Sequence, residues 1–170
     1  MSLRVEFRCS DLHPDGHVYA MGCADGRIRV YDVITGELNG ILGPRPGEVK
    51  SLHFSSNGYW LAETGTIDTS VRIWDLRKEA TIAHELNGSS ASGKVRWDHS
   101  GQFLALGGDK GVDVWAYRKK DKVFEKIGQE PFERNGVQCM DWGLDGRIIV
   151  CGGLSDGTIC VIGVEQASGD

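Results

Sequence analysis

Four glycines set the possible folds of this chain. The segments "LHPDG", "FSSNG", "WDHSG" and "WGLDG" end at Gly16, Gly58, Gly101 and Gly146, at steps of 42, 43 and 45 residues. Each closes one short apolar segment and opens another: "HVYAMG", "YWLAETG", "QFLALGG" and "RIIVCGG". A second marker keeps the same step. "RIRVYD" (Arg27 to Asp32), "VRIWD" (Val71 to Asp75), "VDVWA" (Val112 to Ala116) and "ICVIG" (Ile159 to Gly163) each place two β-branched residues two apart, and the first three add an aromatic. Such alternation is that of a strand. An aspartate stands six residues before the aromatic position every time: Asp25 with Tyr31, Asp68 with Trp74, Asp109 with Trp115, Asp156 with Ile162. The 24 glycines against 4 prolines fit a chain that turns often through positive φ.

A unit of 40 to 45 residues with four strands is the signature of an all-β propeller with Trp-Asp repeats. Strands a, b and c surround the two markers. Strand d is predicted at "ELNGIL", "TIAHEL" and "VFEKIG". The chain reads as one partial propeller over 1–170, with blades at about 5–43, 44–88, 89–130 and 131–165 and a fourth blade of three strands. An open arc of four blades is expected. Its two end blades each expose an apolar face, so self-association or completion by missing blades is expected.

The markers read as architecture. Asp25, Asp68, Asp109 and Asp156 fall in b–c turns, where a carboxylate accepts backbone N–H groups. The rings of Tyr31, Trp74 and Trp115 are expected to cover the sheet against the next blade, and Trp74-Asp75 is read as a staple of the fold.

Little in the chain points to catalysis. "GPRPGEVKS" (Gly43 to Ser51) lacks the Gly-Lys-Ser adjacency of a phosphate loop. The five histidines show no metal-ligand spacing, and His13 and His99 read as solvated. No nucleophile elbow occurs, and no catalytic residue, metal or cofactor is expected. The five cysteines lack a Cys-x-x-Cys pair and read as reduced, mostly buried thiols. The net charge of −5 argues against binding a phosphate backbone. No apolar run nears the roughly 20 residues of a membrane span. The densest basic run, "YRKKDK" (Tyr117 to Lys122), falls in a c–d loop and reads as a solvated loop or a contact for an acidic partner.

"FSSNGYWLAETGTIDTSVRIWDLRKEATI" and "WDHSGQFLALGGDKGVDVWAYRKKDKVFEKI" resemble the propeller of the pre-mRNA-processing factor 19 family. The likeness runs over essentially the whole chain and matches the last four blades of that family's seven-bladed ring. It implies the partner- and substrate-binding end of a nuclear splicing scaffold that is also a U-box ubiquitin ligase, with a part in DNA repair. The implied partners are splicing-complex subunits or ubiquitination substrates, without direct nucleic-acid or membrane contact. The U-box is not in these residues, so no ligase role attaches to any of them. Two departures stand out: no Gly-His precedes strand a, and Ile162-Gly163 replaces Trp-Asp. Polar loop residues Arg45, Glu48, Lys110, Arg134 and Asn135 are the expected partner contacts. A Trp-Asp adaptor of another ligase or signalling complex, and a propeller enzyme, remain the alternatives.

Overall fold

The computed structural model describes residues 5–78, 81–90, 93–132, 136–153 and 157–164. Asp156, Arg134 and Asn135 lie outside them. The fold is all β. Among the described residues fifteen antiparallel strands form four sheets, each joined in sequence order. The first blade holds β1 (Phe7–Leu12), β2 (Val18–Cys23), β3 (Ile28–Asp32) and β4 (Leu38–Leu42). The second holds β5 (Val49–Phe54), β6 (Trp60–Gly65), β7 (Ser70–Asp75) and β8 (Thr81–Asn87). The third holds β9 (Lys94–Trp97), β10 (Phe103–Gly108), β11 (Gly111–Arg118) and β12 (Val123–Pro131). The fourth has three strands among the described residues, β13 (Cys139–Trp142), β14 (Ile148–Gly152) and β15 (Ile159–Gly163).

One turn chemistry, used four times, makes the repeat. Gly16, Gly58, Gly101 and Gly146 sit at φ of 77, 72, 68 and 67°, a region that suits glycine. Each glycine N–H donates to the carbonyl three residues back, at His13, Ser55, Asp98 and Gly143. Asp15, Asn57 and Asp145 then accept the N–H two residues on. A chain that reverses this way every 42 to 45 residues stacks sheets of equal size.

A second device also recurs. Pairing of strands c and d slips between Val30 and Tyr31, between Ile73 and Trp74, and between Val114 and Trp115. Such a bulge re-aims the side chain beside it. Here the extra residue is on strand d each time, Asn39, Ala83 and Ile127, opposite the strand-c aromatic of three successive blades.

The first strands β1, β5, β9 and β13 lie side by side, and three apolar cores fill the gaps between sheets. Trp74 packs with Ala20, Ile28 and Leu42 of the first blade. Trp115 packs with Trp60, Ile73 and Leu86 of the second. The rings therefore cover the preceding blade and not the next one, because their side chains alternate away from the β-branched pair beside them. Val71 and Ile73 make the opposite contact, toward the third blade. Ile149, Cys151 and Ile162 close the last core against Val112 and Val114.

The sheets do not close into a ring. The outer face of the first blade carries Leu38 at 48 % and Ile41 at 50 % exposure, beside a half-buried Tyr31. On the fourth blade Val150 pairs with Val161 and Gly152 with Ile159, and this face is turned outward. Ile159 and Val161 there are 71 % and 65 % exposed. Tyr31 thus occupies the position of Trp74 and Trp115, with no preceding blade to cover among the described residues.

Candidate protein-interaction surface

One rim of the arc is built from the b–c turns and the d–a connections. The Glu48 and Thr66 backbones bond across it at 3.1 Å, and the Arg45 N–H donates to the Gly26 carbonyl at 2.9 Å. Lys110 N–H donates to Ser90 Oγ at 2.9 Å. Rigid sheets hold these loops, the usual setting of a binding surface.

The expected contact residues part company here. Glu48 lies on the rim, its carboxylate paired with Arg8 of the first blade at 2.9 and 3.0 Å. Lys110 is exposed. Arg45 is only 4 % exposed and turns into the protein, so it is not a surface contact. Its guanidinium meets the carboxylate of Asp68 and donates to the Ser70 carbonyl at 3.1 Å. It also lies 3.8 Å from Glu63, an ion-pair distance too long for a hydrogen bond. Gly65 makes room for it: a Cβ there would collide with the guanidinium. Arg45 thus supplies a cationic partner for the turn aspartate of its blade. Glu63, 1 % exposed, lies between Arg45 and Arg72. Burial outweighs both cations and pushes its carboxyl up to about 7.

The turn aspartates differ from blade to blade. Asp25 accepts the Arg27 N–H at 3.2 Å and pairs with Arg29 at 2.8 Å. The Arg29 hydrogen bonds hold its carboxyl down at about 2. Asp68 accepts the Ser70 N–H at 3.2 Å and its hydroxyl at 3.0 Å. Asp109 does neither. The turn from β10 to β11 has only two residues, and its tip puts Asp109 in solvent. A buried carboxyl of that blade, Asp113, lies inside the strand instead. It accepts from the Ser89 hydroxyl at 2.7 Å and pairs with Lys126 at 2.7 Å. Asp75, 1 % exposed, caps the next turn by accepting the Arg77 N–H at 3.0 Å.

On the opposite rim, a cavity of about 390 Å³ lies where the strand-a ends converge. Asp11 accepts the Phe54 N–H at 2.7 Å, and His53 Nδ1 accepts the Trp97 N–H at 2.9 Å. These side chains tie strand a of the first and second blades to the blade that follows. Burial lowers the His53 imidazole below its ordinary range. Asp11, His53, Arg96 and Asp141 follow at steps of 42, 43 and 45, so the period of the glycines marks this row in the sequence too. Nor is His13 solvated. Its Nε2 lies 3.0 Å from the Gly58 carbonyl, and its ring meets Phe54 edge-on at 5.1 Å. His99 is exposed.

All five cysteines are free. Cys23 and Cys151 are buried, Cys9 and Cys160 half-buried, and Cys139 exposed. Burial pushes the Cys9 thiol up to about 12 and that of Cys151 to about 11.

Stacked sheets of four strands and one of three, third strands that bear an aromatic in three blades, and loop-built rims define an open β-propeller scaffold. The family profile described as WD domain, G-beta repeat matches residues 5–32, 36–75 and 128–162, and the chain belongs to that family. It is similar to Pre-mRNA-processing factor 19 of Schizosaccharomyces pombe, 30% identical over 69% of this chain and 24% of that protein. It is also similar to Pre-mRNA-processing factor 19 homolog 2 of Arabidopsis thaliana, 26% identical over 90% of this chain and 29% of that protein. The chain spans about a quarter of the length of these relatives. Among solved structures, "Structure of U3-55K" aligns with a TM-score of 0.81 and 16% identity, over 96% of this chain and 50% of that one, a likeness of fold.

Proposed function

We propose that this chain is the partner-binding propeller of a splicing factor resembling pre-mRNA-processing factor 19, acting in the nucleus. It works by display. Packed blades hold Glu48, Lys110 and the neighbouring b–c and d–a loops in fixed positions, so a partner meets a surface that needs little ordering. Ubiquitin transfer in such an assembly is the task of a U-box outside these residues, and the propeller presents substrates or complex subunits to it. The similarity to pre-mRNA-processing factor 19 in several species supports this reading.

The test is affinity capture of the tagged protein from its own cells at native expression. Enrichment of spliceosome subunits, reduced by Glu48→Arg with Lys110→Glu, is the expected result. A second reading has its own support. WD repeat-containing protein VIP3 of Arabidopsis thaliana is 26% identical over 91% of this chain. Capture of a different complex with no spliceosome subunit would favour an adaptor outside splicing and overturn the first reading.

A further inference from the structure

The basic run at Tyr117 to Lys122 has no part in the folding devices described above. It stands beside a second basic turn, Arg77-Lys78, across a cleft of about 580 Å³ between the second and third blades. We propose that this cleft is a docking site for an acidic, extended peptide segment of a partner protein. The inference does not depend on the splicing reading, because it concerns the rim opposite Glu48 and Lys110.

The cleft has an aromatic floor. Trp60 lies 5.7 Å from His84 and 5.7 Å from Tyr117, centroid to centroid. Ile82 on its wall is 45 % exposed, a contact for an aliphatic side chain. Its cations are set in advance. The Arg77 guanidinium lies 4.7 Å from the centre of the Tyr59 ring and 5.4 Å from that of Trp60. Asp75 holds it by two hydrogen bonds of 2.9 Å. An arginine fixed by stacking and by a carboxylate loses little freedom when it meets a second anion. Lys78 and Lys122 line the same cleft and are exposed. Lys122 has φ of 55°, the only non-glycine in the left-handed region among the described residues. Lys119 and Lys120 extend the positive rim.

The local carboxylates cancel only part of this charge. Asp75 offsets Arg77, Glu125 pairs with Arg118 at 2.7 Å, and Asp121 lies within the run, so among the described residues Lys78, Lys119, Lys120 and Lys122 leave a positive excess. A chain of net charge −5 has concentrated cations here, which favours an acidic ligand. Strand β8 is the outermost of its sheet, so its free edge can pair with an extended backbone. The same features count against RNA. A phosphate backbone needs a long basic track and pairs poorly with a net-negative chain, whereas this cleft is short and sets Ile82 and Ala83 among its polar groups.

The probe is a fluorescein-labelled decapeptide of alternating Glu and Leu, measured by anisotropy. A Lys-Leu decapeptide and a labelled decamer of uridine run alongside. The acidic peptide should bind, weaken as salt rises, and lose at least about tenfold in affinity in Lys78→Glu/Lys122→Glu, with a smaller loss in Lys78→Ala/Lys122→Ala. Lys50→Glu/Arg147→Glu makes the same charge change on exposed residues elsewhere and should stay within about twofold of the parent. All three variants should keep the parent unfolding midpoint. Absence of binding, equal loss in the distant control, or tighter binding of the uridine decamer would each overturn the proposal.

Discussion

Replacing Trp115 by alanine tests the packing logic at its centre. The ring is 3 % exposed and fills the core between the second and third blades with Trp60, Ile73 and Leu86. A buried tryptophan covers about 150–250 Å². At about 25 cal/mol per Å², its loss removes about 4–6 kcal/mol of burial. Measured tryptophan-to-alanine changes run at about 3–5 kcal/mol, so about 4 kcal/mol is expected. Tyr31→Ala removes a ring from the repeat-equivalent position, but its outer face has no neighbouring blade. Its cost should be about 1 kcal/mol. Urea unfolding followed by far-ultraviolet circular dichroism reads both. With a slope of about 2 kcal/mol per molar, Trp115→Ala should lower the midpoint by about 2 M and Tyr31→Ala by about 0.5 M. Equal shifts, or a silent Trp115→Ala, would refute the assignment of these rings to the seam with the preceding blade.

Glu63 makes stability depend on pH. Its folded value of about 7 lies above the ordinary 4.5, so the native state binds the proton more tightly than the unfolded chain. Stability should therefore fall as pH rises from about 4.5 to 7, by up to about 3 kcal/mol, and thermal melts of Glu63→Gln should show that slope flattened. Asp68→Ala removes the partner of a buried guanidinium and should cost about 1–3 kcal/mol, while Asp109→Asn, at an exposed turn tip, should leave the unfolding midpoint unchanged. Gly65→Ala should displace Arg45 and destabilise, which differential scanning calorimetry would detect as a lowered Tm. Against a thiol reagent at pH 8, Cys139 should react first, and Cys9 and Cys151 only on unfolding, because burial keeps their thiols protonated.

The strand order was legible because its cause is local. A glycine in the left-handed region and an Asx residue specify each a–b turn within five residues, and four copies in step leave little freedom. Trp74 and Trp115 could be placed on strand c, but not against the correct neighbour. Alternation puts each ring on the face opposite the β-branched pair, but which face meets which blade depends on how the sheets stack, and the pattern along one strand does not carry that. Arg45 was misread for a different reason. It lies in a polar loop, and only the fold shows Asp68, Ser70 and Glu63 converging on it with Gly65 leaving space. The six-residue step made Asp109 look equivalent to Asp68, yet a two-residue turn in place of four residues reverses its direction. The strand interior then supplies Asp113 instead. The row Asp11, His53, Arg96 and Asp141 was within reach, since it follows the same period as the glycines. It was missed because its residues differ in type while sharing a place.

The central claim is an open arc whose first and last blades present apolar faces around Tyr31 and Ile41 at one end and Ile159 and Val161 at the other. Light scattering coupled to size-exclusion chromatography, run over a hundredfold range of concentration, addresses it directly. The account predicts a mass above the 18.6 kDa of one chain that rises with concentration and falls back when Ile159 and Val161 are both replaced by lysine. A single mass of 18.6 kDa at every concentration, with a sharp thermal transition, would contradict it.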